Sequence, residues 1–258
     1  MIRIKSASKS FQGTRVLDNV SADFEAGTTN LVIGRSGSGK TVLLKAIVGL
    51  LELDSGEIWY GNTRFDNIGM KRRKPIRKAI GMLFQGSALF DSMTVQENVM
   101  FKLDMFTDMS MAEKKKRVDY CLRRVDISEA NSMLPSELSG GMRKRVAIAR
   151  AIVLNPRYLF CDEPNSGLDP LTSIVIDKLI KDITEEFKMT TIVNTHDMNS
   201  VMEIGEKIIF ISEGVKYWEG TASEVMRSDS EPLNDFIFAS KMARQLKDQS
   251  SSSSSSSS

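Results

Sequence analysis

An α/β fold with a mainly parallel sheet is predicted by three features of this 258-residue chain. Short apolar runs alternate with segments of helical periodicity, the pattern of strand–helix–strand units whose sheet is covered on both faces. The run Thr29–Ile33 leads directly into Gly34-Arg35-Ser36-Gly37-Ser38-Gly39-Lys40-Thr41, which fits the phosphate-loop pattern at every fixed position, and then into the apolar run Val42–Val48. A second apolar run, Tyr158–Cys161, ends in the paired carboxylates Asp162 and Glu163.

The elements follow in order. Strands are expected at Ile2–Ser6, Val20–Phe24 and Leu31–Ile33, and then at Glu57–Tyr60 and Ile80–Phe84 on either side of a basic stretch. From about residue 86 to 137 there is no strand signal, so this part should form a helical insertion beside the sheet. Two of its helices announce their starts by the capping boxes Thr94–Glu97 and Ser110–Glu113. In the second, Val118, Cys121, Leu122 and Val125 fall on one apolar stripe. Pro135 breaks the pattern, and a helix from Ser139 carries Met142, Val146, Ala149 and Val153 on one face. Asp169-Pro170 opens another helix, with Pro in its first turn and Asp as cap. Thr191–Val193 and Ile208–Ile211 are further strands, and Thr221–Glu224 caps a short helix. In a final helix Leu233, Phe236, Ile237 and Ser240 share a face, with Phe238 and Met242 elsewhere on it. The serine run 250–258 cannot bury a core and is expected to be disordered.

Composition narrows the class. The chain is 41% hydrophobic and 26% charged, with a net charge of +2, which gives no bulk electrostatic case for nucleic-acid binding. Cys121 and Cys161 lie far apart with no metal-ligand spacing and suit a reducing compartment. No apolar run approaches the roughly 20 residues that cross a bilayer. The N-terminus alternates like a strand and lacks the core of a signal peptide. A role at a membrane would therefore need other subunits to span it.

The motifs carry the chemistry. Glycines in the loop let backbone N–H groups turn inward around phosphates, and the helix that follows adds the positive end of its dipole. Lys40 is expected to reach the β- and γ-phosphates, and the Thr41 hydroxyl to ligate Mg²⁺. Asp162, at a strand tip, would hold Mg²⁺ directly or through water, and Glu163 would orient or deprotonate the attacking water. Ser139-Gly140-Gly141 at a helix start is a second anion-binding terminus.

Taken together, these motifs resemble the nucleotide-binding subunit of ABC (ATP-binding cassette) transporters over about residues 1–225. Gly34 to Thr41 matches the first nucleotide motif, Gln85 the glutamine loop, and Leu138-Ser-Gly-Gly-Met142 the signature. Asp162-Glu163 matches the second nucleotide motif, Ser166-Gly-Leu-Asp169 the D-loop, and His196, the only histidine, the switch histidine. The resemblance implies a P-loop cassette with a RecA-like core, an antiparallel β subdomain and a helical subdomain at about 86–137, together spanning 1–227. A C-terminal helical extension would occupy 228–249. It implies that Glu163, His196 and Gln85 are catalytic and that Thr41, Gln85 and Asp162 serve Mg²⁺. ATP would be held by Phe11, Gly34, Arg35, Ser36, Gly37, Ser38, Gly39, Lys40 and Thr41. Phe11 sits where the family stacks an aromatic on adenine, though an aromatic after an edge strand also fits plain packing. Two copies would pack head to tail, with Ser139, Gly140 and Gly141 of one covering the ATP of the other and Asp169 between them.

The segment Ser87–Val99, the signature ending in Met142 with the Arg143-Lys144-Arg145 that follows it, and Glu163-Pro-Asn-Ser-Gly-Leu-Asp-Pro170 resemble the Mla/Mkl-type phospholipid transport ATPases. That subfamily implies a permease dimer docked near Gln85–Val99, a lipid-binding domain reached through the permease, and a position on the cytoplasmic face of the inner membrane. Leu89, Phe90 and Met93 fit docking anchors and core packing equally. The basic runs Lys71–Lys74 (with Arg77 and Lys78) and Lys114–Arg117 read as solvated faces, with contact to anionic headgroups as the alternative for the first. The last helix, Leu233–Leu246, would brace the second copy. The competing readings are an importer subunit for another substrate, an iron–sulfur-type assembly ATPase that needs no permease, and a phosphate-loop kinase or GTPase. The last leaves the signature, D-loop and His196 unexplained.

Overall fold

The computed structural model describes residues 1–238. Two sheets enclose one helix. Strands β1 (Ile2–Phe11), β2 (Thr14–Phe24), β4 (Ser55–Tyr60) and β5 (Thr63–Arg64) form an antiparallel sheet in the order β2-β1-β4-β5. A six-stranded sheet has the order β10-β9-β3-β8-β7-β6, made of β3 (Thr29–Ile33), β6 (Ile80–Leu83), β7 (Tyr158–Asp162), β8 (Thr190–Thr195), β9 (Lys207–Ser212) and β10 (Val215–Gly220). Its pairings are parallel except for the β9–β10 hairpin at one edge.

Two cores follow from the period of two along the central strands. Leu31, Ile33, Leu159, Cys161, Val193, Ile208 and Phe210 point to one face. There they meet α3 (Val95–Phe106), α4 (Met111–Arg124), α5 (Gly140–Ile152), α6 (Pro170–Phe187) and α7 (Met198–Ile204). The intervening Val32, Phe160, Ile192, Ile209 and Ile211 point the other way, onto Leu43, Leu44 and Ile47 of α1 (Lys40–Ile47) and the inner face of the antiparallel sheet. Strands buried on both faces carry apolar residues on both sides, which is why these runs show no regular polar alternation; the buried polar residues Asn30 and Asn194 interrupt β3 and β8. α1 is thus wedged between two sheets.

Both capping boxes form: the Thr94 and Ser110 hydroxyls accept from the N–H groups of Glu97 and Glu113, whose carboxylates reach back to the cap residues. The stripe Val118, Cys121, Leu122 and Val125 is fully buried. A single 3-10 turn spans Pro135–Glu137, and α8 (Ala222–Val225) begins at Thr221. In α9 (Glu231–Ile237) Leu233 is buried, and the Phe236 ring lies 5.4 Å from that of Phe210. The expected extension of this helix to Leu246, with Ser240 and Met242, and the serine run fall on residues outside those described.

The structure revises three expectations. β1 and β2 are about twice the expected length, because register shifts let polar residues continue the pairing beyond the apolar core. The basic stretch is α2 (Met70–Lys78), with Pro75 inside it and Arg77 and Lys78 in its last turn, where the helix dipole favours cations. Arg117 is not on a solvated face: its guanidinium donates to the carbonyls of Ile152 and Val153, which end α5 without intrahelical partners. The edge strand β10 escaped notice because its side chains are half-buried or exposed, so no apolar run marks it.

The wedged position of α1 makes a stability prediction. Leu44→Ala, at 1% exposure, should cost about 2–5 kcal/mol in urea unfolding. Leu50→Ala, at 61% exposure, should stay within about 0.5 kcal/mol. Equal midpoints for the two variants would contradict the packing.

Candidate functional site

Four parallel neighbours, β3, β8, β7 and β6, end at the same sheet edge, and each delivers one motif there. β3 enters the phosphate loop, β7 ends at Asp162-Glu163, β8 is followed by His196, and β6 by Phe84-Gln85. Ligands of such sheets bind outside the carboxyl ends of the strands.

The loop needs its glycines for two reasons. Gly34 has φ +152°, and a Cβ there would lie 2.1 Å from the Ile211 carbonyl oxygen. Gly39, the left-handed N-cap of α1 at φ +104°, would place a Cβ 2.7 Å from the Val16 oxygen. Strands β2 and β9 therefore press on the loop from outside, and the Gly214 N–H, in the β9–β10 turn, fastens it by donating to the Ser38 carbonyl at 3.0 Å. Lys40 is 5% exposed, and its ammonium donates to the Gly34 and Arg35 carbonyls at 2.8 and 3.0 Å. Burial holds it below the ordinary lysine range, while Glu163, 3.6 Å away, acts the other way. Arg35, Ser36 and Gly37 are exposed at the loop tip; Ser38 is buried, and its Oγ has no hydrogen-bond partner among the described residues.

The carboxylates have different surroundings. The Thr41 hydroxyl donates to Asp162 Oδ1 at 3.0 Å, and Asn194, directly opposite Asp162 in the β7–β8 register, donates to the same oxygen at 3.2 Å. Asn194 Oδ1 is buried without a partner. A hydroxyl and a carboxylate in contact, both hard oxygen donors, fit Mg²⁺, which takes one or two protein ligands and completes its shell with phosphates and water. The described residues hold no cluster of three or more acidic, His or Cys side chains that could hold a metal ion. Glu163 lies beyond the strand tip at φ +49°, with its N–H donated to the Asn194 carbonyl. Its Oε1 faces Lys40 at 3.6 Å, and its Oε2 lies 2.8 Å from His196 Nδ1. His196 is 56% exposed, so the pair opens outward.

The other expected site residues are spread around this centre. Ser139 caps α5, its hydroxyl accepting from the Met142 N–H at 3.2 Å. The capping bond uses only the backbone of residue 142, while the Met142 side chain is half-buried against the core. A Cβ on Gly141 would lie 2.7 Å from Thr172 Cγ2 of α6, so this glycine allows the signature to sit against the helix that Asp169 caps. Gln85 is exposed, and its amide donates to Ser166 Oγ at 3.2 Å; no hydrogen bond joins it to Thr41 or Asp162 among the described residues. Phe11 ends β1 at 42% exposure under the Lys9 ammonium, on the hairpin whose other strand touches Gly39. Leu89 and Met93 are half-buried and Phe90 is 41% exposed.

Sequence reading gave no site role to Asn194, Lys144 or Arg150, nor to a buried group around Asp177. Arg150 donates to the Ser87 and Ala88 carbonyls at 2.7 Å each, both residues having positive φ. Asn98, fully buried, donates to the Phe90, Met93 and Thr94 carbonyls and accepts from the Phe90 N–H. Polar residues inside apolar runs, such as Asn194 in Thr-Ile-Val-Asn-Thr, were the available signal. On α6, Asp177 is 2% exposed and accepts from Ser200 at 2.7 Å, which accepts from Asn165 at 3.0 Å. Burial pushes the Asp177 carboxyl up to about 6; Asp197 and Glu203 add to the rise, while the bonds from Ser200 and Asn165 oppose it.

Comparison with known proteins places this geometry among relatives. A family model described as ABC transporter matches residues 17–166. A methionine import ATP-binding protein MetN of Clostridioides difficile (strain 630) is 38% identical over 237 residues, covering 92% of this chain and 74% of the relative. A probable ribonucleotide transport ATP-binding protein mkl of Mycobacterium leprae (strain TN) is 34% identical over 236 residues, covering 92% of this chain and 68% of the relative. The post-hydrolysis dimer of the cassette MJ0796, bound to ADP and Pi, superposes with TM-score 0.79 at 33% identity over 86% of this chain and 99% of that one. CbiO1 of Clostridium perfringens, part of the ABC transporter complex cbiONQ, gives 0.82 at 28% identity over 95% and 98%.

Asp177 makes the stability pH-dependent with a definite sign. Its folded pKa lies above the unfolded one, so the folded state holds the extra proton. Its contribution therefore falls as pH rises from about 4 through 6 and is constant above. Asp177→Asn should remove this slope and raise stability at pH 8, by at most about 3 kcal/mol, with no gain near pH 4. Thermal melts of both proteins at the two pH values check it; parallel profiles would overturn the assignment.

Proposed function

The chain belongs to the ABC transporter family, and from that premise we propose that it drives phospholipid movement between bacterial membranes. It is an ATPase subunit that uses ATP with Mg²⁺. Cassettes of this family form dimers and work with membrane permease components. The proposal assigns residues 1–227 to the ATPase unit, with its helical part at about 86–137, and 228–249 to a C-terminal extension.

The observation that carries the hydrolytic assignment is Glu163 held between Lys40 and His196 beside the phosphate loop. The triphosphate enters the loop, and the Lys40 ammonium exchanges its carbonyl contacts for β- and γ-phosphate oxygens. Adenine lies on Phe11. Thr41 and Asp162, in contact at 3.0 Å, would hold Mg²⁺ with Gln85 joining them, and the ion would supply charge neutralisation for the phosphates. Glu163 accepts a proton from the water that attacks the γ-phosphorus, and the bridging oxygen departs with ADP. His196 orients the Glu163 carboxylate through its 2.8 Å contact. Ser139, Gly140 and Gly141 of a second copy close over the γ-phosphate, with Asp169 at the junction, so ATP favours the closed pair and ADP does not.

The phospholipid assignment rests on the Ser87–Val99 segment and on Met142 in the signature. The transporter would sit on the cytoplasmic face of the inner membrane, held there by its permease. None of the described helices is long and apolar enough to cross a membrane. A lipid-binding domain beyond the membrane would complete the route. The MetN relatives favour a second reading, methionine import.

Purifying the chain with its permease distinguishes the two: stoichiometric phospholipid in the complex is expected, and ATPase stimulation by methionine with no bound lipid would favour import. Glu163→Gln should retain ATP binding, accumulate as a dimer, and lose about 10²–10⁴ in turnover. Rapid steady-state hydrolysis by that variant would remove Glu163 from its role. Lys40→Ala should instead weaken nucleotide affinity itself, by about 1.5–3 kcal/mol for lost charged hydrogen bonds, measured by equilibrium titration.

A further inference from the structure

Lys144 lies on α5, one turn beyond Gly140 and Gly141, and is 4% exposed. A buried ammonium needs acceptors. The acceptor here is the backbone carbonyl of Gln85, and no other hydrogen bond to Lys144 exists among the described residues. Cys161, Glu163 and Asp162 are its charged or ionisable neighbours; they favour the ammonium, while burial holds it below the ordinary lysine range. From Gln85 a chain of contacts continues: its side-chain amide donates to Ser166 Oγ, the Ser166 N–H donates to the Glu163 carbonyl, and Glu163 meets His196. Two turns further along α5, Arg150 binds the carbonyls of Ser87 and Ala88. The helix that opens with Ser139-Gly140-Gly141 thus grips the segment 85–88 at two points.

We propose that Lys144 is a positioning residue that ties Gln85 to the signature helix, so that a shift of Ser139–Gly141 on closing over a nucleotide is transmitted to Gln85 and, through Ser166, to Glu163. This rests on the ATPase reading above and deepens it. α5 cannot move relative to Gln85 without leaving a buried ammonium short of its acceptor. A methionine at 144 preserves bulk and removes the tether; an arginine preserves charge and donors.

The test uses the full chain, with a fluorescent ATP analogue for affinity, steady-state hydrolysis for turnover, and hydrogen exchange of residues 84–88. For Lys144→Met, nucleotide affinity should stay within about twofold while kcat falls about tenfold, the rate equivalent of one lost hydrogen bond to a charged group. Exchange at 84–88 should rise by a similar factor, and Lys144→Arg should restore both. Unchanged kcat and exchange in Lys144→Met would overturn the proposal. So would a fall in kcat matched by an equal fall in nucleotide affinity and not restored by arginine. Should Lys144→Met fail to fold, Lys144→Arg decides: exchange near wild type supports the tether, and a tenfold rise removes it. A wild-type chain that hydrolyses no ATP would refute the ATPase reading instead, and the exchange comparison would still judge the tether.

Discussion

The hydrogen bond from Thr41 to Asp162 joins the first turn of α1 to the tip of β7, and the arrangement of the site depends on it. It exists because β3 and β7 run parallel with only β8 between them, so their carboxyl ends lie level at one edge. α1 cannot drift from that position. Its apolar side chains are locked between two sheets, and the loop before it is pressed at Gly34 and Gly39 by neighbouring carbonyls. Asn194 secures the same carboxylate oxygen from the strand in between. The oxygens suited to Mg²⁺ are thus brought together by sheet order rather than by a dedicated cage.

Charge is arranged around that contact with little slack. Lys40 is buried and satisfied by the loop's own carbonyls, with Glu163 close enough to favour its charged form. Glu163 is itself shared with His196. A left-handed backbone at Glu163 turns its side chain back over the loop; a continued strand would carry it away. Such a conformation in a non-glycine residue persists only where its surroundings enforce it, here through the bond from its N–H to Asn194. The helical part is joined to this centre mainly by buried polar groups. Arg150, Asn98 and Lys144 all bind backbone carbonyls of the segment between β6 and α3. A segment of irregular backbone must have its carbonyls satisfied from outside, and the amide of Asn98 on α3 and the long cationic side chains of Lys144 and Arg150 on α5 do so.

Much of this was legible in the chain. The phosphate loop, Asp162-Glu163, the capped starts at Thr94, Ser110, Ser139 and Asp169, and the apolar stripe of α4 each carry a local signal, and each lies where that signal put it. Less legible was anything whose partner is distant. Arg117 belongs to a basic run, and only the end of α5 explains why it is partly buried. β10 is held by pairing with β9 and has no apolar run of its own. Asp177 looks like an ordinary helix-face carboxylate until α7 closes over it with Ser200.

By itself, the sequence determined the alternation of strands and helices, the phosphate-binding chemistry and the residue types that surround it. These are properties of short windows: periodicity, glycine spacing and a strand ending in carboxylates. The tertiary structure alone decided which strands became neighbours, and so which motif met which. It set Asn194 opposite Asp162, placed Glu163 between Lys40 and His196, and brought Lys144 to the carbonyl of Gln85 some sixty positions earlier in the chain. Strand order and helix packing are fixed by the burial of two cores shared by the whole chain, and no local stretch of residues carries that information.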